Sequence, residues 1–172
     1  MKNIAYSAIK KPISYSSVEN EKINFISGSM PDEIFYGSRI IQLVEKIAKI
    51  VAKKHAKSNL LDRNIDSVRF FSSFKKEDLL YCFASVNRVF GSEVEVGIKV
   101  VKEDFRTLLK KRVMSCYFTF LSVDENGELI LVPDVLIESK KQKIRYEEAF
   151  LRKRARKSNV IEKAKRAKLS SW

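Results

Sequence analysis

The sequence predicts an α+β domain in which one long helix packs on an antiparallel sheet. Three observations carry that reading: a helix-period run over residues 37–56, four alternating segments between 65 and 123, and short connections between those segments. Short connections favour antiparallel neighbours, because a parallel return needs a crossover of a dozen or more residues.

Residues 1–17 are polar and weakly periodic, and are expected to form a poorly ordered arm. Residues 21–27, with Ile23 and Phe25 among polar neighbours, read as a first short strand, and 28–31 as the turn out of it. In the helix, Ile40, Val44, Ile47 and Val51 recur at i, i+4, i+7 and i+11, and Gln42, Lys46, Lys49 and Lys53 repeat the spacing on a polar face. Residues 58–63 read as a polar connection. Segments 65–71, 79–89, 93–101 and 111–123 then read as four strands in a meander. The third is the clearest, with Val94, Val96, Ile98 and Val100 on one face. A helical tail follows Pro133, with Tyr146 and Phe150 one turn apart. The expected division is an arm at 1–17, the α+β domain at 18–137 and a basic helical extension at 138–172.

Composition limits the possibilities. A chain of 172 residues with 45% apolar content supports one domain with a core and leaves little for a second. No apolar run approaches the roughly 20 residues that span a bilayer, and the first residues lack a signal-peptide segment. A soluble cytoplasmic protein is therefore expected. The net charge of +13 is unevenly placed, since residues 139–172 hold 13 Lys/Arg against 3 Asp/Glu. Such a tail is either a solvated face or an attractor of phosphates. Only Phe150 and Trp172 bracket its basic core, so base stacking is poorly supported and nucleic acid is not the expected partner. Cys82 and Cys116 have no second Cys or His nearby in sequence, which suits buried small hydrophobes better than a metal or a disulfide. His55 ends the helix, where a cation is favoured, and no catalytic role is expected of it.

Glu45 is the outstanding residue of the helix. It belongs to neither stripe, and its neighbours one turn away are Ile41 and Ala48. Burial in such a setting raises a carboxyl pKa and suits it to acid, base or nucleophilic work. The alternative is a surface ion pair with Lys49 at i+4.

Several words in this order resemble the hotdog-fold bacterial acyl-CoA thioesterases related to brain-type cytosolic acyl-CoA hydrolase. Tyr36-Gly37-Ser38-Arg39-Ile40 resembles the Phe-Gly-Gly turn that opens the family's central helix, Glu45 occupies the acidic position, and Lys53-Lys54-His55 closes it. Asp66-Ser67-Val68 leading to Phe70-Phe71, the turn Lys75-Lys76-Glu77-Asp78, and Arg88-Val89-Phe90-Gly91-Ser92 match later words. So do the stretch from Tyr117 to Gly127 with Val132-Pro133, and Arg145-Tyr146-Glu147-Glu148-Ala149. One departure stands out: Met30 and Glu33 occupy the places of the family's Asn-x-x-Gly element, so the usual catalytic Asn is absent.

The resemblance implies hydrolysis of fatty acyl-CoA to fatty acid and CoA, with no cofactor because CoA is part of the substrate. The N–H groups around Gly37, Ser38 and Arg39 would bind the oxyanion, since a helix start carries partial positive charge and Gly admits close approach. Gly37 read alone is equally a turn glycine. Glu45 would act as general base on a water or attack directly. Asp32 is either a solvated loop residue or an aid in orienting that water. For the CoA moiety the candidates are Phe71, Ser72, Arg88 and Ser92, which offer apolar surface, hydroxyls and a cation. A homo-oligomer is implied, dimers assembled as a trimer of dimers with sites at subunit interfaces. The missing Asn leaves an alternative, a non-catalytic acyl-CoA-binding sensor.

Overall fold

A computed structural model describes residues 10–23, 37–74, 78–104 and 106–169, with side chains through 162. The elements in chain order are β1 (Lys10–Pro12), a 3-10 turn (Ile13–Tyr15), β2 (Val18–Ile23), α1 (Gly37–Ala56), β3 (Asn59–Phe70), β4 (Leu79–Phe90), β5 (Glu93–Glu103), β6 (Lys110–Val123), β7 (Asp134–Leu136) and α2 (Lys140–Leu169). Five strands form an antiparallel sheet in the order β2-β4-β5-β6-β3, and β1 pairs with β7 in a separate parallel pair.

The inner face of the sheet is the alternation read from sequence. Leu80, Cys82, Ala84 and Val86 of β4, Val94, Val96, Ile98 and Val100 of β5, and Met114, Cys116, Phe118 and Phe120 of β6 are all buried in one core with α1. Helix α1 begins and ends at the expected residues. Its buried stripe is Ile40, Val44, Ala48, Val51, Ala52 and His55, while Ile47 is only half-buried. Small Ala48 and Ala52 bring the helix axis close to the sheet, and each buried Ile or Val stabilises by roughly 1.5–3 kcal/mol. The helix stops at Lys57, a left-handed residue (φ 56°) whose N–H donates to Lys53 O at 2.8 Å.

Three expectations are corrected. The four strands are not one meander: β4, β5 and β6 are, but β3 lies beyond β6 at the far edge of the sheet. The β3–β4 connection carries the chain across the sheet, which adjacent hairpin strands would not need. Residues 59–63, expected as a connection, are strand, because alternation there is weak on an edge whose outer positions face solvent. The arm is ordered where it is described. Ile13 is buried, Ser16 reaches the His55 ring, and Lys11 donates to the His55 carbonyl, so the segment closes the end of α1.

A two-residue hairpin, Gly91-Ser92, joins β4 to β5, and Gly91 has the positive φ (72°) that favours glycine there. The outer face of the sheet is polar, and α2 lies against it. Glu95 is fully buried beneath α2: Arg152 donates to it through Nη2 at 2.7 Å and Nε at 3.3 Å, and Asn87 Nδ2 donates at 3.2 Å. Gly97 makes room for that arrangement, since a Cβ there would stand 2.7 Å from Asn87 Nδ2. Lys153 pairs with Glu93 at 2.7 Å and Arg156 with Asp66. The tail is therefore docked by its own charges.

Candidate active site on the central helix

Glu45 sits on α1 about 90° around the axis from the centre of the buried stripe, counting 100° per residue. Its side chain is half-buried, beside half-buried Ile41 and next in sequence to buried Val44. The ion pair with Lys49 does not form. Lys49 instead donates to Asp62 of β3 at 2.6 Å, and among the described residues no hydrogen bond or ion pair engages the Glu45 carboxylate. A carboxylate at the margin of an apolar face, uncommitted to any partner, is available to bind and activate a water.

Gly37 is the first residue of α1 and half-buried, with Ser38 and Arg39 exposed behind it. The first N–H groups of a helix have no intrahelical acceptor and lie at its positive end, so this terminus is competent to stabilise an oxyanion. Eight residues separate Gly37 from Glu45, which is about 12 Å of helix axis at 1.5 Å per residue. Asp32, and the Met30 and Glu33 positions, lie outside the described residues.

The four residues expected around CoA fall into two groups. Phe71 is 49% exposed at the end of β3 with the Arg112 guanidinium 5.1 Å from its ring centre, and Ser72 Oγ donates to Arg112 O at 2.8 Å. Ser92 lies in the β4–β5 hairpin, where its carbonyl accepts from Ser122 N at 2.8 Å. Phe70 is level with Met114 and Glu93 with Leu121, so the two groups stand roughly 23 Å apart along β6 at 3.3 Å per residue. Arg88 is committed to the tail. Its guanidinium lies 4.0 Å from the Tyr146 ring centre and 5.1 Å from that of Phe150, and Nη1 donates to Tyr146 O at 3.3 Å. One chain does not bring the four together.

His55 is buried rather than a solvated cation. Burial pushes its pKa below the usual value, so the ring is neutral: Nε2–H donates to Pro133 O at 3.0 Å, and Nδ1 accepts from Ser16 Oγ at 3.3 Å. Burial pushes the free thiols of Cys82 and Cys116 up to about 12, which makes them inert apolar residues. Among the described residues no cluster of His, Cys, Asp or Glu suits a metal.

A scan of protein-family models finds no match. The chain is 30% identical over 134 residues to protein VdlD of Helicobacter pylori, covering 78% of this chain and 76% of that protein. It is 28% identical over 123 residues to the uncharacterized acyl-CoA thioester hydrolase YkhA of Bacillus subtilis, covering 72% of each. Among solved structures, the acyl-CoA hydrolase of Staphylococcus aureus, in complex with butyryl coenzyme A, coenzyme A and coenzyme A disulfide, superposes with a TM-score of 0.83 at 25% identity. That match covers 95% of this chain and 100% of the other. An apo-hexameric acyl-CoA thioesterase superposes with a TM-score of 0.78 at 27% identity, covering 88% and 98%. The chain belongs to the hotdog-fold acyl-CoA thioesterase family, the bacterial relatives of cytosolic acyl-CoA hydrolase.

Proposed function

We propose that this protein hydrolyses acyl-CoA thioesters, with Glu45 as the carboxylate that activates water or attacks the carbonyl. The observation that carries the reading is Glu45 itself, half-buried and unpaired on the central helix of a hotdog domain. Several of its relatives carry the names of hydrolases, which favours turnover over a binding-only sensor.

Hydrolysis needs a donor for the oxyanion and a base for the water at one carbonyl. The Gly37 end of α1 and Glu45 are too far apart along one helix, at about 12 Å, to serve the same carbonyl, where each must reach within roughly 3 Å. A second copy, with α1 running the other way, brings the helix start of one subunit to the Glu45 of its partner. The two halves of the CoA-binding set, Phe71 and Ser72 against Ser92, are served by the same arrangement. The β3 edge supports pairing: it is paired with β6 on one side only among the described residues, and it carries exposed Leu61, Ile65 and Val68. A trimer of dimers follows by likeness to the hexameric neighbours. No described helix is long and apolar enough to cross a membrane, and a cytoplasmic location fits a substrate built on CoA.

The test is thiol release from short, medium and long acyl-CoAs by wild type and Glu45→Gln, an isosteric change that removes the charge. Loss of about 10²–10⁴-fold in kcat with little change in KM is expected. Full activity in Glu45→Gln would overturn the assignment of Glu45. Tight acyl-CoA binding by wild type with no thiol release would overturn the hydrolase reading.

A further inference from the structure

The outer face of the sheet holds a groove of about 640 Å³ between β4–β6 and the first turns of α2. Four cations converge on it: Lys99 of β5, Arg112 of β6, and Lys141 and Arg145 of α2. Lys99 lies along the Phe83 ring, its Nζ 4.3 Å from the centre, and Arg145 Nη1 donates to Ser85 Oγ at 3.1 Å. Among the described residues none of the four has an ion-pair partner. Like charges so placed raise one another's energy. Burial first, then Lys141, Arg112, Arg145 and Lys110 in turn, push the Lys99 pKa below its usual value.

The start of α2 adds to the positive field. Ser139 and Gln142 form a capping box, the Gln142 N–H on Ser139 Oγ at 3.2 Å and the Ser139 N–H on Gln142 Oε1 at 3.1 Å. The first turn that follows carries Lys140, Lys141 and Lys143 and no acid, opposite to the sign the helix dipole favours there. Among the described residues no carboxylate pairs with Lys140, Lys141 or Lys143, whereas Arg152, Lys153 and Arg156 further along α2 all meet carboxylates.

We propose that this groove binds a small phosphate-bearing anion, gripped by Lys99, Arg112, Lys141 and Arg145. Two guanidiniums and two ammoniums around a bounded concavity match the several oxygens of a phosphate or diphosphate. Glu19 and Glu148 also line the groove, and their charge opposes an extended polyanion or a flat anionic surface laid across its mouth. The anion comes either as a nucleotide or as the phosphates of CoA. The inference does not rest on thioester hydrolysis, because it is read by binding alone.

Calorimetric titration of the full-length protein with pyrophosphate, ADP and CoA, at low and at raised salt, tests it. Pyrophosphate is expected to bind at low salt and weaken as salt rises. Lys99→Gln, Arg145→Gln and the exposed Lys141→Gln are each expected to weaken it about tenfold, the loss of one charge-assisted contact. Lys143→Gln, on the same helix but outside the groove, serves as the control, with unchanged circular dichroism as the check on folding. ADP binding more tightly than CoA identifies a nucleotide site, and the reverse identifies the CoA phosphates. The proposal is overturned by absence of pyrophosphate binding, by equal loss in Lys143→Gln, or by tighter binding of an RNA oligomer or anionic vesicles that depends on the same residues.

Discussion

A histidine beside two lysines at the end of a helix looks like part of a cationic cap, and in the fold His55 is the reverse of one. Ser16 Oγ meets its Nδ1 and Pro133 O takes its Nε2–H, so the neutral ring is a structural link between three segments. Because the folded pKa lies below the unfolded value near 6.5, the unfolded chain binds more protons as pH falls through that value. His55 thus stabilises fully above about pH 6.5 and progressively less below it, by up to about 1.4 kcal/mol per pH unit. Urea unfolding at pH 7.5 and 5.5 should show a falling midpoint, and His55→Gln should flatten that dependence. The position of Glu45 off both stripes was legible from helix periodicity, and its half-burial agrees with that, whereas its proposed role came from the family resemblance. Burial of His55 was not, because Ser16 and Pro133 lie 39 and 78 residues away.

At the level of elements, α2 is the least legible part of the chain. Its excess of Lys and Arg suggests a solvated helix, yet Arg152 and Arg156 face inward because Glu95 and Asp66 wait on the outer face of the sheet. The period-2 pattern of β5 exposed this face correctly, but Glu93, Glu95, Gly97 and Lys99 read only as polar until a second layer covers them. The same blindness hid the groove around Lys99. Arg152 is 15% exposed and also lies over Tyr117, 3.6 Å from its ring centre, so its removal strands a fully buried carboxylate. Arg152→Ala should cost about 3–5 kcal/mol in urea unfolding. The pair Glu95→Met with Arg152→Leu should cost less than Arg152→Ala alone, because no uncompensated charge remains.

For the whole molecule, the inner face and α1 were legible because their signal is local, whereas the place of β3 depends on a crossing that no periodicity records. That placement leaves β3 as an edge strand among the described residues and makes the assembly testable. If each site draws its helix start from one subunit and its carboxylate from the other, two inactive variants should rescue each other. Gly37→Pro removes a donor at a helix start that tolerates proline, and Glu45→Ala removes the carboxylate. Co-expressed in equal amounts, they should recover about a quarter of wild-type thiol release, since half of random dimers are mixed and each holds one intact site. No recovery with confirmed mixed dimers would place both groups of each site in a single subunit.

The small parallel pair of β1 and β7 bears on how the protein is made. Lys10 pairs with Asp134, so a strand synthesised near the start must wait for one more than a hundred residues later. At translation rates of about 5–20 residues per second, the β1 strand stays without its partner for roughly 6–25 seconds on a growing chain. The pair over the end of α1 therefore closes only after β2 to β6 have all been made, and only the docking of α2 comes later.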